Sequence, residues 1–146
     1  MMVDVFAGAA IAADERAVCV YLITDAHNGT LLSTGVKQCK VAHAELDSIR
    51  AAVMALEYLR TVTQATIYTD SCSLELLLTG RIQPPTGMGR LVLDIRRRMD
   101  ALKCDAVVRL SCSDVLETAR RLAAAATRPG YIPPTPLQYD LLVNRI

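Results

Sequence analysis

Residues 43–60 read HAELDSIRAAVMALEYLR and residues 65–71 read ATIYTDS, and between them they decide the fold. In the first stretch Leu46, Ile49, Val53, Leu56 and Leu59 recur at three- and four-residue steps. That period gives a helix over 43–60 one apolar side, which needs a sheet to cover. The second stretch is rich in β-branched and aromatic residues, which predicts a short strand over 65–69 ending at Asp70.

Upstream, residues 3–11 (VDVFAGAAI), 17–24 (AVCVYLIT) and roughly 30–40 (TLLSTGVKQCK) read as three strands. AADER at 12–16 makes a polar turn between the first two. His27-Asn28-Gly29 makes a tight one between the second and third, because Asn-Gly tolerates positive φ. The three strands form an antiparallel meander. Downstream, 73–79 reads as a helix stopped by Gly80, 83–89 (QPPTGMG) as a loop, and 90–103 as a helix with Leu91, Ile95 and Leu102 on one face. A strand over 106–111 (AVVRLS) and an Ala-rich helix over 114–126 follow. This order implies an α/β fold with a five-stranded mixed sheet, three antiparallel strands and then parallel additions, flanked by helices.

The expected domain is 1–127, followed by a proline-rich tail over 128–146 (RPGYIPPTPLQYDLLVNRI). Pro129, Pro133, Pro134 and Pro136 forbid a helix there. Tyr131, Ile132, Leu137, Tyr139, Leu141, Leu142 and Val143 are too many apolar side chains for a solvated linker, so the tail is expected to dock, on its own domain or on a protein partner.

At 146 residues the chain suits one domain, and 52% hydrophobic residues place it well inside the globular range. With no Trp and Phe6 its only Phe, its core is aliphatic. The apolar runs are short and broken by charges, so no membrane span is expected. The N-terminus lacks the basic start and apolar stretch of a signal peptide, so the expected location is the cytoplasm. Cys19, Cys39, Cys72, Cys104 and Cys112 form no CxxC pair and have no His at ligand spacing. They read as reduced core thiols and not as a zinc site. A net charge of +1 lends no support to strong nonspecific nucleic-acid binding. Arg90, Arg96, Arg97, Arg98 and Lys103 nevertheless cluster on the helix before the last strand, with Asp94 and Asp100 interspersed. They are either a solvated face or duplex-binding candidates.

His43-Ala44-Glu45-Leu46 opening the long helix, and Ile67-Tyr68-Thr69-Asp70-Ser71 closing the next strand, together resemble the type 1 ribonuclease H family, including the ribonuclease H domains of reverse transcriptases. The resemblance runs over residues 3–126. That family cleaves the RNA strand of RNA–DNA hybrids with two divalent metal ions held by four clustered carboxylates. Onto this chain the resemblance carries the long-helix acid as Glu45, with Ser48 as the competing position, and the fourth-strand acid as Asp70. The first-strand acid is replaced by Ala7 and the last-helix acid by Arg120, and Leu110 falls near the place of the family's loop histidine. The site is thus expected to be degenerate, with Glu45 and Asp70 as remnant acids and no metal. An Arg beside two carboxylates repels Mg²⁺ and pairs with them instead. Asp70 also reads as a helix N-cap and Glu45 as a first-turn acid. Asp4 lies an odd number of residues from Ala7, on the opposite face of the strand, and Asp114 and Glu117 are remote substitutes.

The leading expectation is therefore a noncatalytic ribonuclease H-like domain, a structural or interaction module within a larger assembly, with no cofactor. The alternatives are an Mg²⁺-dependent ribonuclease H acting on RNA–DNA hybrids, and a duplex nucleic-acid binder that does not cleave.

Overall fold

The computed structural model describes residues 1–39 and 42–131. In chain order the elements are β1 (Met2–Ile11), β2 (Ala17–Asp25), β3 (Leu31–Cys39), α1 (Ala44–Leu56), β4 (Gln64–Thr69), α2 (Cys72–Leu78), α3 (Gly89–Ala101), β5 (Asp105–Leu110) and α4 (Asp114–Ala126). They build one five-stranded sheet in the order β3-β2-β1-β4-β5. β1–β2 and β2–β3 are antiparallel, β1–β4 and β4–β5 parallel, as the sequence predicts.

The sheet separates two cores. Val3, Val5, Ala7, Ile23, Ala65 and Ile67 point to one face, where Leu46, Ile49, Val53 and Leu56 of α1 meet them and α3 lies beside α1. Phe6, Val20 and Leu22 point to the other, where Leu116, Ala119, Leu122 and Ala123 of α4 cover them. The period-two alternation of β1 thus assigns each residue to one helix layer. β1 pairs with β4 only as far as Phe6↔Tyr68 and then runs on to Ile11 against β2 alone. A notch opens beside Ala7 and Gly8 where β4 parts from β1.

Three local expectations are corrected. α1 stops at Leu56, not at residue 60: the amides of Glu57, Tyr58 and Leu59 bond the carbonyls of Met54, Ala55 and Leu56, three residues back, so the last turn tightens while Leu59 stays packed on the core. Asp70 does not cap α2. Ser71 does, its hydroxyl accepting the amide of Leu74 at 3.3 Å. Ser71→Ala is expected to cost about 1 kcal/mol of stability, read as a lowered urea midpoint with unchanged slope. The cysteines are not five core thiols. Cys19 and Cys39 are joined in a disulfide with Cα atoms 6.3 Å apart, Cys72 and Cys112 are exposed, and Cys104 is half-buried. The register explains the pair: Ala17 faces Cys39 and Cys19 faces Lys37, so the two cysteines are diagonal neighbours on one face.

The expected domain boundary at 127 follows the end of α4, but the docking expected of the tail falls on residues 132–146, outside the described residues. No helix among the described residues is long and apolar enough to cross a membrane.

Candidate functional site

Three elements bring charge to the notch. Asp70 follows the last residue of β4, where the amide of Ser111 bonds the carbonyl of Thr69 at 2.8 Å and carries the β4–β5 pairing one step further. Glu45 sits in the first turn of α1. Arg120 comes from the middle of α4, one residue past the fully buried Ala119. Gly8 makes this approach possible. A Cβ there would lie 2.8 Å from the Arg120 amide nitrogen and 3.1 Å from the Ala119 carbonyl carbon, so α4 rests directly on the β1 backbone.

The guanidinium grips Asp70 with both ends, Nη1 to Oδ2 and Nη2 to Oδ1, each at 2.5 Å. Nη2 also donates to Glu45 Oε1 at 3.2 Å. The three side chains are 27%, 33% and 42% exposed for Arg120, Asp70 and Glu45, so water screens the group only in part. The hydrogen bonds from Arg120 hold the Asp70 carboxyl below the usual carboxylate range against the opposing effect of burial. In return Asp70, and to a lesser degree Glu45, raise the Arg120 guanidinium above its ordinary value.

The two competing helix positions differ in placement. Ser48 is 1% exposed and its hydroxyl donates to the Glu45 carbonyl at 2.6 Å, whereas the Glu45 carboxylate faces Arg120. Ala7 is buried on the α1 side and presents only a methyl group. Leu110 is the last residue of β5, opposite Thr69 and half exposed. It therefore stands on the strand and not in a loop, and only residues 111–113 connect β5 to α4. Asp4 lies on the α4 side and hydrogen-bonds Tyr68, with burial raising its pKa. Asp114 is exposed, and Glu117 lies 3.8 Å from Arg121 on the outer side of α4.

The residues present do not fit the two-metal group of the family the sequence resembles. A hard divalent cation takes six or more oxygen ligands, several of them anionic. Here two carboxylates converge and both already face a fixed cation. Among the described residues no three His, Cys, Asp or Glu side chains are placed to hold a metal ion.

The basic candidates do not form one face. Arg98 is bound to Asp94 at 3.1 Å and to Glu57 at 3.0 Å. Arg96 lies against Gly80, Arg97 points to solvent, and Lys103 lies beyond the end of α3 in a separate cleft with Arg60. Arg90 instead joins residues the sequence reading missed. A cleft of about 520 Å³ between the end of β3, the start of α1 and the start of α3 is lined by Lys37, His43, Arg50 and Arg90, with Asp47 the one acid among the described residues. Arg50 is partly neutralised by Asp94 at 2.6 Å. No short-range pattern announces this group, because three elements distant in sequence supply it.

No family model matches the sequence, and no curated protein does. Solved structures match it well, and the fold is that of the type 1 ribonuclease H domains. The N-terminal ribonuclease H domain of Rv2228c from Mycobacterium tuberculosis superposes with a TM-score of 0.74 at 16% identity, over 88% of this chain and all of that one. Ribonuclease H1 from Halobacterium salinarum gives 0.70 at 17% identity, over 85% and 98%. The foamy viral protease–reverse transcriptase, solved with an RNA/DNA hybrid, gives 0.59 at 11% identity, over 86% of this chain and 20% of that one.

Proposed function

We propose that this chain is a noncatalytic ribonuclease H-like module that serves as a structural or interaction domain. The observation that carries this reading is the double hydrogen bond of Arg120 on Asp70 with its reach to Glu45. A guanidinium occupies the space where metal chemistry would need a carboxylate, and Ala7 supplies no ligand. The foamy viral enzyme, in which the matching part is a fifth of the chain, supports the idea that such a domain works within a larger assembly.

A second reading, duplex binding without cleavage, is favoured by the basic cleft between β3, α1 and α3. A groove with an excess of cations suits the phosphates of a nucleic-acid backbone. Solved ribonuclease H1 from a compost metagenome, bound to an RNA/DNA hybrid, lends it support. Its mark is a gel shift with RNA–DNA hybrid that weakens steeply with salt and is lost in Lys37→Ala with Arg90→Ala.

The test of the leading reading is hybrid cleavage with Mg²⁺ or Mn²⁺. Losing metal ligands removes several kcal/mol of transition-state stabilisation, roughly a thousandfold or more in rate. The expected result is no cleavage above background. Robust cleavage by the unaltered protein, abolished by Asp70→Asn, overturns the proposal and makes the chain an active ribonuclease H with a remodelled site.

A further inference from the structure

We propose that Cys39 is a site of thiol–disulfide exchange with small anionic thiols of the glutathione class, and that this exchange opens and closes the Cys19–Cys39 bond. The two sulfurs differ in access. Cys19 is 1% exposed on β2, which has a strand on either side. Cys39 is the last residue of the edge strand β3, is only half-buried, and lines the basic cleft. A thiolate therefore reaches Cys39 and not Cys19.

The cleft also selects the attacker. Among the described lining residues Lys37, Arg50 and Arg90 outnumber Asp47 even with Arg50 partly neutralised by Asp94, and reduced glutathione carries two carboxylates against one ammonium besides its thiolate. Opposite charge raises the local concentration of such a reagent and favours the ionised thiol that does the chemistry. The exchange balances in two steps. The glutathione thiolate attacks Cys39 Sγ, the bond to Cys19 Sγ breaks, and Cys19 leaves as a thiolate that takes a proton. A second glutathione thiolate then attacks the glutathione sulfur of the mixed disulfide, releasing Cys39 as a thiolate, which is protonated. The protein gains two electrons and two protons, and two glutathiones leave as their disulfide.

The consequence lies just downstream. His43, four residues after Cys39, holds φ 67° and begins α1, whose first turn carries Glu45. A non-glycine residue in that conformation persists only where its surroundings fix it. The disulfide ties the end of β3 to β2, so opening it loosens the lead-in to α1 and the wall of the cleft. This inference stands whether or not the cleft takes a nucleic acid.

The experiment is a peptide map of the full chain after acid quench and alkylation. In the untreated protein Cys72 and Cys112 are expected to be labelled while Cys19 and Cys39 are not. With limiting reduced glutathione a mixed disulfide is expected on Cys39 and none on Cys19. Full reduction is expected to speed amide exchange over residues 42–47. Lys37→Glu with Arg90→Glu is expected to slow the reaction with glutathione about tenfold and to slow that with 2-mercaptoethanol, whose thiolate carries a single negative charge, distinctly less. The proposal is overturned by free alkylation of Cys19 and Cys39 before reduction, by an adduct on Cys19, by equal slowing of both reagents, or by unchanged exchange over 42–47. The unaltered chain carries the first two readouts if the double variant does not fold.

Discussion

Gly8→Ala is expected to destabilise the domain by about 2–3 kcal/mol, the upper part of the range of an overpacked core. The added methyl group would sit 2.8 Å from the amide nitrogen of Arg120, 3.0 Å from its Cγ and 3.1 Å from the Ala119 carbonyl carbon. Two of these three atoms are backbone, so no rotamer change relieves the clash and α4 as a whole must lift. Lifting it withdraws Leu116, Ala119, Leu122 and Ala123 from Phe6, Val20 and Leu22. It also pulls the guanidinium away from Asp70. Urea unfolding checks the size of the effect. A midpoint equal to that of the unaltered protein would show that α4 is not seated on β1 as described.

Arg120→Met keeps the aliphatic part of the side chain beside Gly8 and removes the charge. It is expected to cost about 1–2 kcal/mol at neutral pH, between the value of an exposed ion pair and that of a buried one. The loss has two sources, the double hydrogen bond to Asp70 and the like-charge repulsion left between Asp70 and Glu45. Its pH dependence has a definite sign. Arg120 depresses the Asp70 pKa in the folded state. The stability so gained is fully present above the unfolded carboxylate value, near about 4, and is lost as pH falls through the lower folded value. The gap between the two proteins is therefore expected to be constant above about pH 5 and to close in acid. Thermal melts from pH 3 to 8 measure it. A gap that persists unchanged at the acid end would assign the effect to packing and not to charge.

The strands and the four helices were legible because each element carries its own period: alternation in β1, three- and four-residue steps in α1. The acids at the site were legible for a different reason, since Glu45 and Asp70 sit in short sequence contexts that the structure keeps at one point, with Arg120 between them. What the sequence did not disclose depends on register and packing. Cys19 and Cys39 become neighbours only once β2 and β3 are aligned. The end of α1 is set by a tightening of its last turn, which leaves the apolar period intact. The cleft of Lys37, His43, Arg50 and Arg90 exists only after β3, α1 and α3 have packed. Conversely, Arg96, Arg97 and Arg98 look like a cluster in print, but consecutive helical residues point about 100° apart. The three therefore find Gly80 just past α2, solvent and a pair of acids.

The notch beside Ala7 and Gly8 has a mechanical meaning. α1 and α4 belong to separate apolar layers with the sheet between them, and their buried side chains form two distinct clusters. Arg120 passes this divide at the point where β4 leaves β1, holding the start of one layer's helix and the residue that follows β4 from the other layer's helix. A single side chain thus acts as a rivet through the sheet. In a domain with two cores, that rivet makes loosening of one layer a strain on the other, and so helps the whole sheet and both layers melt as one body.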